Sequence, residues 1–165
     1  MENGIKRDIR LVGLDLDGTV FTDEKTITPA TRDAIARAVR AGVAVLPVTG
    51  RPRSGLPEEV LAIPGVRYAI TSNGAMCEDL AEDKVLVRLA MDEETAMRAL
   101  RIAEKYDVVI DIYIDGQAYT AADSMRLVQT HVPESFRPYF LKTRRLVEDR
   151  GRFLRQTGRG AEKFT

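Results

Sequence analysis

The chain has 165 residues, 44% apolar and 30% charged, a composition typical of a globular protein large enough to bury a core. Its 25 basic and 25 acidic residues balance, which argues against nucleic acid or an anionic membrane as a general partner. The single cysteine, Cys77, excludes a disulfide framework or a cysteine metal site within this sequence. Signal-peptide and membrane-span patterns are not found, so the sequence predicts a cytoplasmic location and no membrane partner.

The first elements of the chain follow a strand–helix pattern. Residues 9–14 are a continuous apolar run with one basic residue, Arg10, at its start, which predicts a strand buried on both faces, as in a parallel sheet. Residues 18–27 are short and mixed, and predict a small hairpin or flap over the end of that strand. Thr28 and Pro29 then begin a helix as N-cap and first helical residue, and Gly42 ends it.

The next elements continue this pattern and set the fold class. Two further strands are predicted at residues 43–48 and 68–71, with a short helix at residues 57–63 between them. Alternating strands and helices predict an α/β fold with a three-layer, Rossmann-like parallel sheet. Because the pattern changes after about residue 82, the sequence predicts two units. They are a partial Rossmann-like core at residues 1–81 and an α+β module at residues 82–165.

The second half reads as strands and helices in a less regular order. The Asp-Gly pair between two apolar runs is a strong hairpin signal. Apolar residues at helical spacing predict the last helix, which would include Glu148 and Asp149. In chain order the predicted elements are a strand at residues 85–90, a helix capped by Asp92, a hairpin at residues 108–120, a loop around Pro133 and Pro138, and a helix from about Leu146 that ends at Gly158 or Gly160.

Three groups of polar residues each follow the carboxyl end of a predicted parallel strand. Ligands bind at this edge of open α/β sheets, so the groups are expected to converge. Asp15 and Asp17 are two positions apart on an extended chain and share a face, and carboxylates that close need a cation or a proton between them. The three groups are Asp15/Asp17/Thr19, Thr49/Arg51 and Ser72/Asn73.

These residue types suit phosphoryl transfer. One carboxylate can attack phosphorus and form an aspartyl-phosphate, and a second can protonate the leaving oxygen and then activate water. Mg²⁺ binds hard oxygen ligands, usually one or two carboxylates together with a substrate phosphate. A hydroxyl and free backbone N–H groups after the second strand would hold phosphate oxygens.

Structural interpretations of the same residues stay open at this point. Asp15 and Asp17 would also suit a turn with solvated carboxylates, and Thr49 a turn that ends a strand. Asn73 with the following glycine is a common turn pair. Arg51 would contact either a substrate anion or a carboxylate of the protein.

Taken together, three segments resemble the first half of a haloacid dehalogenase (HAD) superfamily phosphatase. They are residues 15–19 (Asp-Leu-Asp-Gly-Thr), residues 48–51 (Val-Thr-Gly-Arg) and residues 72–75 (Ser-Asn-Gly-Ala). The Asn-Gly-Ala element and the module that follows it are similar to the Cof-like branch, which carries a large α/β cap of the C2 type. The resemblance implies a Rossmann-like core, a Mg²⁺ cofactor and a small phosphorylated metabolite as substrate.

The resemblance also implies a role for each motif residue. Asp15 would be the nucleophile and a Mg²⁺ ligand. Asp17 would be the general acid/base and would bind Mg²⁺ through its backbone carbonyl. Thr49 would hold the transferring phosphoryl group, and Thr19 would support the Asp loop. The two remaining residues that would line the site are Gly50 and Asn73.

Two later elements of such phosphatases are not found in this sequence. These are a lysine that neutralises the phosphate and a Gly-Asp-x-x-x-Asp element that completes the metal site. Lys142 and Lys163 are not followed by an acidic loop of this kind. The sequence therefore resembles only the N-terminal part of the family, and we expect a chain truncated within the cap that is weak or inactive alone.

This expectation has a consequence for the strand that precedes Asp15. Without strands on its other side it becomes an edge, which exposes unpaired N–H and C=O groups. The sequence therefore predicts that this edge is covered by unusual packing or by a second copy of the chain in a homodimer.

Two other functions remain as alternatives. The chain would be a non-catalytic, truncated binding or oligomerising module if it binds a phosphorylated ligand without turnover. It would be an aspartate-based phospho-acceptor similar to a signalling receiver if phosphate persisted on Asp15, although the cap-like second half argues against this.

Overall fold

The computed structural model describes residues 8–165 as a mixed α/β structure with three hydrogen-bonded groups of strands, two of which are joined by a single parallel bridge and are treated below as the first sheet. The strands are β1 (Leu11–Leu14), β2 (Ala44–Pro47), β3 (Tyr68–Thr71), β4 (Met76–Asp79), β5 (Lys84–Arg88), β6 (Ile112–Ile114), β7 (Gln117–Ala121), β8 (Arg144–Val147) and β9 (Lys163–Phe164). The helices are α1 (Pro29–Arg40), α2 (Glu58–Leu61), α3 (Glu93–Ala103), α4 (Ala122–His131), α5 (Arg137–Thr143) and α6 (Arg150–Thr157). Within residues 8–165, no helix has the length and apolar character needed to cross a membrane.

The first sheet contains the three predicted parallel strands in the order β1, β2, β3. β1 and β2 pair in parallel, and a parallel bridge between Val48 and Ile70 sets β3 beside β2. β4, which the sequence did not predict, turns back antiparallel onto β3, and β5 follows antiparallel onto β4. The carboxyl ends of β1, β2 and β3 therefore lie along one edge of this sheet.

The helix predicted after Thr28 is confirmed. The Thr28 hydroxyl accepts a hydrogen bond from the Thr31 N–H at 3.1 Å, and Gly42 past the helix end has a φ of +82°, which favours glycine. Burial of the apolar face of α1 on the sheet builds the first core. That core contains Leu16, Val20, Phe21, Ile27, Ile35, Val45, Leu56, Val60, Ile63 and Ala69.

Two expectations for the start of the chain are wrong. β1 is not buried on both faces: Leu11 is 61% exposed, because β1 pairs only with β2 in the described part of the chain. No strand within residues 8–165 pairs with the other edge of β1, so this part of the chain leaves that edge without a strand partner. The predicted hairpin or flap at residues 18–27 is instead a helical turn at Leu16–Val20 followed by a tight loop closed between Thr22 and Thr26.

The second sheet has the order β8, β7, β6, β9. The predicted hairpin is confirmed as β6 and β7, and its turn residues Asp115 and Gly116 have φ values of +53° and +70°. Helices α3 and α6 pack together, and α6 also packs on β7. The core beneath them contains Ala96, Ile112, Ile114, Leu154 and Ala161.

The second half departs from prediction in two places. The segment predicted as the start of a helix is strand β8, parallel to β7, so Leu146 is in a strand and α6 begins only at Arg150. Asp149 caps that helix by accepting from the Arg152 N–H, and Gly158 ends it in the left-handed region, as predicted. The region predicted as a loop near the two prolines contains α5, because proline is tolerated in the first turn of a helix. α4, just before it, was not predicted.

Candidate active site

A cleft of about 280 Å³ lies between the two sheets. One wall is the edge of the first sheet where β1 and β2 end, and the opposite wall comes from β6, α5 with the residue before it, β8, and β9 with the residue after it. We call these the acidic wall and the aromatic wall. The acidic wall consists of Asp15, Asp17, Thr49, Gly50 and Arg51, and the aromatic wall of Tyr113, Phe136, Tyr139, Arg144, Lys163 and Thr165.

Asp15 is the first residue after β1, and its carboxylate is open to solvent. The chain leaves the strand in extended conformation, with φ −68° and ψ 145° at Asp15. The Thr19 hydroxyl donates to Asp15 Oδ2 at 3.2 Å, which ties the loop back onto the carboxylate. Gly18 supplies the tight turn with a φ of +80°. A carboxylate held in this way keeps its second oxygen free to bind a metal or attack a phosphorus atom.

Asp17 is held by two cations. Arg51 Nε donates to Asp17 Oδ2 and Arg51 Nη2 to Asp17 Oδ1, both at 2.8 Å, in a bidentate pair. Lys25 Nζ lies 3.2 Å from Asp17 Oδ1. The Arg51 hydrogen bonds lower the pKa of Asp17, with a smaller effect from Lys25. At neutral pH this carboxylate is therefore ionised.

The Arg51 side chain joins the two walls of the cleft. Its guanidinium lies 4.2 Å from the ring centre of Tyr139 and 5.3 Å from that of Phe21. The Tyr139 hydroxyl fits against Gly55, where an added Cβ would lie 2.3 Å from the oxygen, so only glycine fits there. A buried arginine stacked between two rings is stabilised by cation–π contact as well as by its carboxylate.

The turns after β2 and β3 are locked to each other by backbone hydrogen bonds. The Asn73 N–H donates to the Thr49 carbonyl at 3.2 Å, and the Ser72 N–H to the Arg51 carbonyl at 2.9 Å. Ser72 and Asn73 both have left-handed φ, at +52° and +58°. Such backbone strain is concentrated at functional sites. An added Cβ on Gly50 would lie 2.5 Å from Asn73 Oδ1, so a larger residue here would require the Asn73 side chain to turn away.

The aromatic wall contains a buried ion pair. Arg144 Nε donates to Asp111 Oδ2 at 2.8 Å, and both side chains are almost fully buried. Arg144 Nη2 also donates to the Tyr113 hydroxyl at 3.1 Å. Burial raises the pKa of Tyr113 and of Tyr139, so both hydroxyls stay protonated at neutral pH. The charge of Arg144 is thus matched within the wall.

Lys163 reaches across the cleft from β9. Its Nζ donates to the Gly50 carbonyl at 3.1 Å and lies 4.9 Å from the ring centre of Tyr113. The side chain is half-buried. Burial lowers the pKa of Lys163, and the neighbouring Arg144 lowers it further.

The two sheets also meet at one backbone contact beside the cleft. The Ser54 N–H, in the loop after β2, donates to the Gly116 carbonyl at the tip of the β6–β7 hairpin at 3.0 Å. An added Cβ on Gly116 would lie 2.8 Å from Arg53 Cβ, so the hairpin tip seats directly on this loop.

The oxygen ligands at the acidic wall suit a partly hydrated metal rather than a protein cage. Among residues 8–165, no group of three or more His, Cys, Asp or Glu side chains is placed to hold a metal ion. Asp15 offers a carboxylate with no cation paired to it in the described structure, and Asp17 offers a backbone carbonyl. Mg²⁺ commonly takes one or two protein carboxylates and fills its remaining positions with water and phosphate oxygens, so these residues fit it.

Comparison with known proteins places this cleft in a family. Residues 12–150 match the haloacid dehalogenase-like hydrolase family, which covers most of the chain. The chain belongs to this family. The HAD hydrolase assignment confirms the resemblance carried by the three motif segments.

Among curated relatives of this HAD hydrolase is the pyridoxal phosphate phosphatase YbhA of Escherichia coli. It is 28% identical over 144 residues, which span 84% of this chain and 53% of that protein. The 5-amino-6-(5-phospho-D-ribitylamino)uracil phosphatase YcsE of Bacillus subtilis is 36% identical over 83 residues, 48% of this chain and 33% of that protein. The chain spans about half the length, or less, of the curated relatives it matches.

Solved structures confirm the fold class. A haloacid dehalogenase-like hydrolase from B. subtilis superposes with a TM-score of 0.72 at 19% identity, covering 88% of this chain and 56% of that one. The HAD subclass IIB sugar phosphatase BT4131 gives a TM-score of 0.72 at 18% identity, covering 92% and 56%. The mixed α/β fold with a Rossmann-like parallel sheet is therefore that of HAD hydrolases.

The structure brings most of the predicted site residues together. Asp15, Asp17, Thr49 and Gly50 border one cleft. Thr19 stands behind Asp15. Asn73 borders a neighbouring cleft, next to Gly50, rather than the one that holds the two aspartates. Of the two interpretations of Arg51, the contact with a protein carboxylate is the one observed.

The aromatic wall was not predicted from sequence. Its residues are scattered over residues 113–165 and no motif marks them. Lys163 in particular is 113 positions from its partner Gly50. The one available signal was a run of aromatic and basic residues around α5, which suits a solvated helix as well as a binding wall.

Proposed function

We propose that this HAD hydrolase is a Mg²⁺-dependent phosphatase that acts on small phosphomonoesters through an aspartyl-phosphate. The observation that carries the proposal is the meeting of Asp15, Asp17 and Thr49 at one cleft, at the carboxyl ends of β1 and β2. Family membership and the phosphatase relatives support it.

In the proposed reaction an Asp15 carboxylate oxygen attacks phosphorus, and the bond from phosphorus to the ester oxygen breaks. Asp17 gives a proton to the leaving oxygen. It then takes a proton from a water molecule, whose oxygen attacks phosphorus and releases inorganic phosphate from Asp15. The Thr49 hydroxyl and the backbone around Gly50 hold the phosphoryl oxygens.

The contact with Arg51 sets the protonation state of Asp17, and therefore which of these two steps Asp17 can perform without a further change. A carboxylate with a lowered pKa is a proton acceptor at neutral pH, which suits the second step. To act as the acid in the first step, Asp17 would have to loosen its pair with Arg51. We propose that the substrate phosphate competes with Asp17 for Arg51, so that Asp17 can take up a proton before it acts as the acid.

Mg²⁺, when bound, would neutralise charge on the phosphate and on Asp15 as they approach each other. The Asp15 carboxylate and the Asp17 backbone carbonyl are the proposed ligands. The Lys25 and Arg51 pairs engage both oxygens of the Asp17 side chain, so this side chain is not a proposed metal ligand and would have to release Arg51 before it gives up a proton.

We further propose that residues 1–81 are the core and residues 82–165 the cap. The boundary falls in the turn between β4 and β5. The aromatic wall would then belong to the cap and choose the substrate. Its Phe136 and Tyr139 rings, whose centres are 4.8 Å apart and whose planes are tilted by 47°, favour a phosphomonoester that carries a planar ring.

The test is Mg²⁺-dependent hydrolysis of an aryl phosphate by the 165-residue chain, alongside Asp15→Asn. We expect slow turnover that the substitution abolishes, because the later lysine and Gly-Asp-x-x-x-Asp element of the family are not in this sequence. Preorganised charges of this type contribute about 10²–10³ in rate each. Turnover that survives Asp15→Asn would refute the nucleophile assignment, and robust turnover would refute the expected weakness.

A second candidate, a non-catalytic binding module that pairs with a second copy, is favoured by the exposed edge of β1. Leu11 lies on this edge, 61% exposed, and the strand has an unpaired side in the described structure. Sedimentation velocity should then show a dimer that Leu11→Lys dissociates. A monomer at all concentrations would exclude it.

A cytoplasmic location, predicted from sequence, remains a proposal.

A further inference from the structure

The cleft contains three cations, and two of them are already paired. Arg51 is bound bidentately to Asp17, and Arg144 is bound to Asp111. Within residues 8–165, Lys163 has no carboxylate at ion-pair distance, and its one hydrogen-bond acceptor is the neutral Gly50 carbonyl. Lys163 is therefore the one of these three cations that has no carboxylate partner in the described structure.

We infer that Lys163 binds the phosphoryl group of the substrate from the aromatic wall, opposite Asp15 and Thr49. This inference rests on the proposed function of the Asp15 site and names a ligand for it. Lys163 lies outside the three motif segments, on a strand of the other sheet, so the motifs do not assign it this role.

The position of the Lys163 ammonium fits a phosphate ligand. It is hydrogen-bonded to the carbonyl of Gly50, the residue directly after Thr49, and Lys163 and Thr49 line the same cleft. An added Cβ on Gly50 would lie 3.6 Å from Nζ, which shows how closely the amine approaches this turn. An ammonium can exchange a carbonyl acceptor for a phosphate oxygen by a small rotation and gain a charge-assisted hydrogen bond.

The base of the Lys163 side chain is fixed. β9 pairs antiparallel with β6, where Lys163 is opposite Tyr113. The Glu162 N–H donates to the Tyr113 carbonyl at 2.8 Å. Only the tip of the lysine is therefore free to move, which lowers the entropy lost when it binds a ligand.

The electrostatics of the pocket agree with this placement. The groups that face the ammonium are Arg144, which disfavours its charged form, and Asp111, which favours it. Burial disfavours the charge most. A phosphate dianion at Thr49 would offset that cost and join the acidic and aromatic walls through one ligand.

The experiment is calorimetric titration of the full 165-residue chain with inorganic phosphate in the presence of Mg²⁺. The variants are Lys163→Met, which keeps the aliphatic packing on Tyr113, and Lys163→Arg, which restores the charge. Loss of a charge-assisted hydrogen bond should weaken phosphate binding by about 10-fold or more in Lys163→Met. Lys163→Arg should recover most of the affinity, which a merely structural role would not require.

Lys142→Met is the matched control, because Lys142 is exposed and does not border the cleft. Its phosphate affinity should equal that of the wild type. Circular dichroism checks that each variant is folded. Equal affinity of the wild type and Lys163→Met, or no phosphate binding by the wild type, would overturn the inference.

The two proposals fail in different ways. Aryl phosphate turnover that is lost in Asp15→Asn but unaffected by Lys163→Met would leave the phosphatase function standing and remove Lys163 from it. The opposite result is phosphate binding that depends on Lys163 without aryl phosphate turnover and without acid-stable phosphate bound covalently to the chain. It would leave the role of Lys163 standing and remove the phosphatase function.

Discussion

The two walls of the cleft are built in different ways. The acidic wall consists of residues in the loops after β1 and β2, and its two carboxylates, Asp15 and Asp17, are exposed on one short loop, whereas Thr49 and Arg51 are buried. The aromatic wall consists of residues from four elements, and its ion pair between Arg144 and Asp111 is buried. Exposed carboxylates can change partners at little cost, whereas a buried pair is fixed once formed.

This contrast suggests that the two walls have different roles, one in reactivity and the other in folding stability. The acidic wall offers groups whose protonation and partners can change during a reaction. The aromatic wall offers shape, with its charges already matched apart from Lys163. Substitutions in the acidic wall should therefore affect reactivity and pH dependence, and those in the aromatic wall should affect folding stability first.

The largest effect is expected from the buried pair. Asp111→Asn removes the charge that compensates Arg144, so we expect the free energy of unfolding to fall by about 3 to 5 kcal/mol. Urea denaturation measures it. The control is Asp8→Asn, whose ion pair with Arg10 is exposed on both sides and should be worth less than about 0.5 kcal/mol. Similar losses in both variants would refute the claim that burial makes the Arg144–Asp111 pair the more costly one to break.

Arg51→Met tests the contact that joins the walls. The Arg51 pair lowers the pKa of Asp17, so its stabilisation is fully present above the unfolded pKa of about 4 and is lost as pH falls through the lower folded value. At pH 7 we expect a loss of about 1 to 2 kcal/mol, discounted because Asp17 is more than one-third exposed.

Urea denaturation of Arg51→Met and the wild type from pH 7 down to pH 3 checks this sign. The difference between the two proteins should shrink in acid. Arg53→Met, two residues further along, removes only the long contacts of 3.8 Å to Glu78 and 3.7 Å to Asp83 and should cost less. A difference that stays constant with pH would show that Arg51 acts through its ring contacts alone.

The smallest expected effect is that of Gly50→Ala. The new methyl group would lie 2.5 Å from Asn73 Oδ1, and because the Asn73 side chain is exposed it can turn away. We expect a loss of about 1 kcal/mol in the free energy of unfolding. The double variant Gly50→Ala/Asn73→Ala should restore most of it in a double-mutant cycle. If the double variant did not recover stability, the cost of Gly50→Ala would come from the backbone and not from the Asn73 side chain.

The acidic wall was predictable because local sequence determines it. A strand that ends in two alternating carboxylates places both at its mouth, and the same rule located Thr49 after β2. The burial of β1 was not predictable in this way, because burial depends on neighbours that lie elsewhere in the chain or outside it.

The aromatic wall was not predictable for a related reason. Leu146 and Val147 with Phe153 and Leu154 have helical spacing, yet Leu146 is in a strand because β7 offers it a parallel partner. The approach of Lys163 to Gly50 follows from the pairing of β9 with β6, which no local pattern contains. Tertiary pairing outweighed propensity in both cases.

The hydrogen bond from the Ser54 N–H to the Gly116 carbonyl has a consequence for how such a cleft can diversify. It joins main chain to main chain, so this contact between the sheets does not depend on the identity of the side chains that line the cleft. A change at Phe136 would therefore alter the lining of the cleft while this main-chain contact is kept.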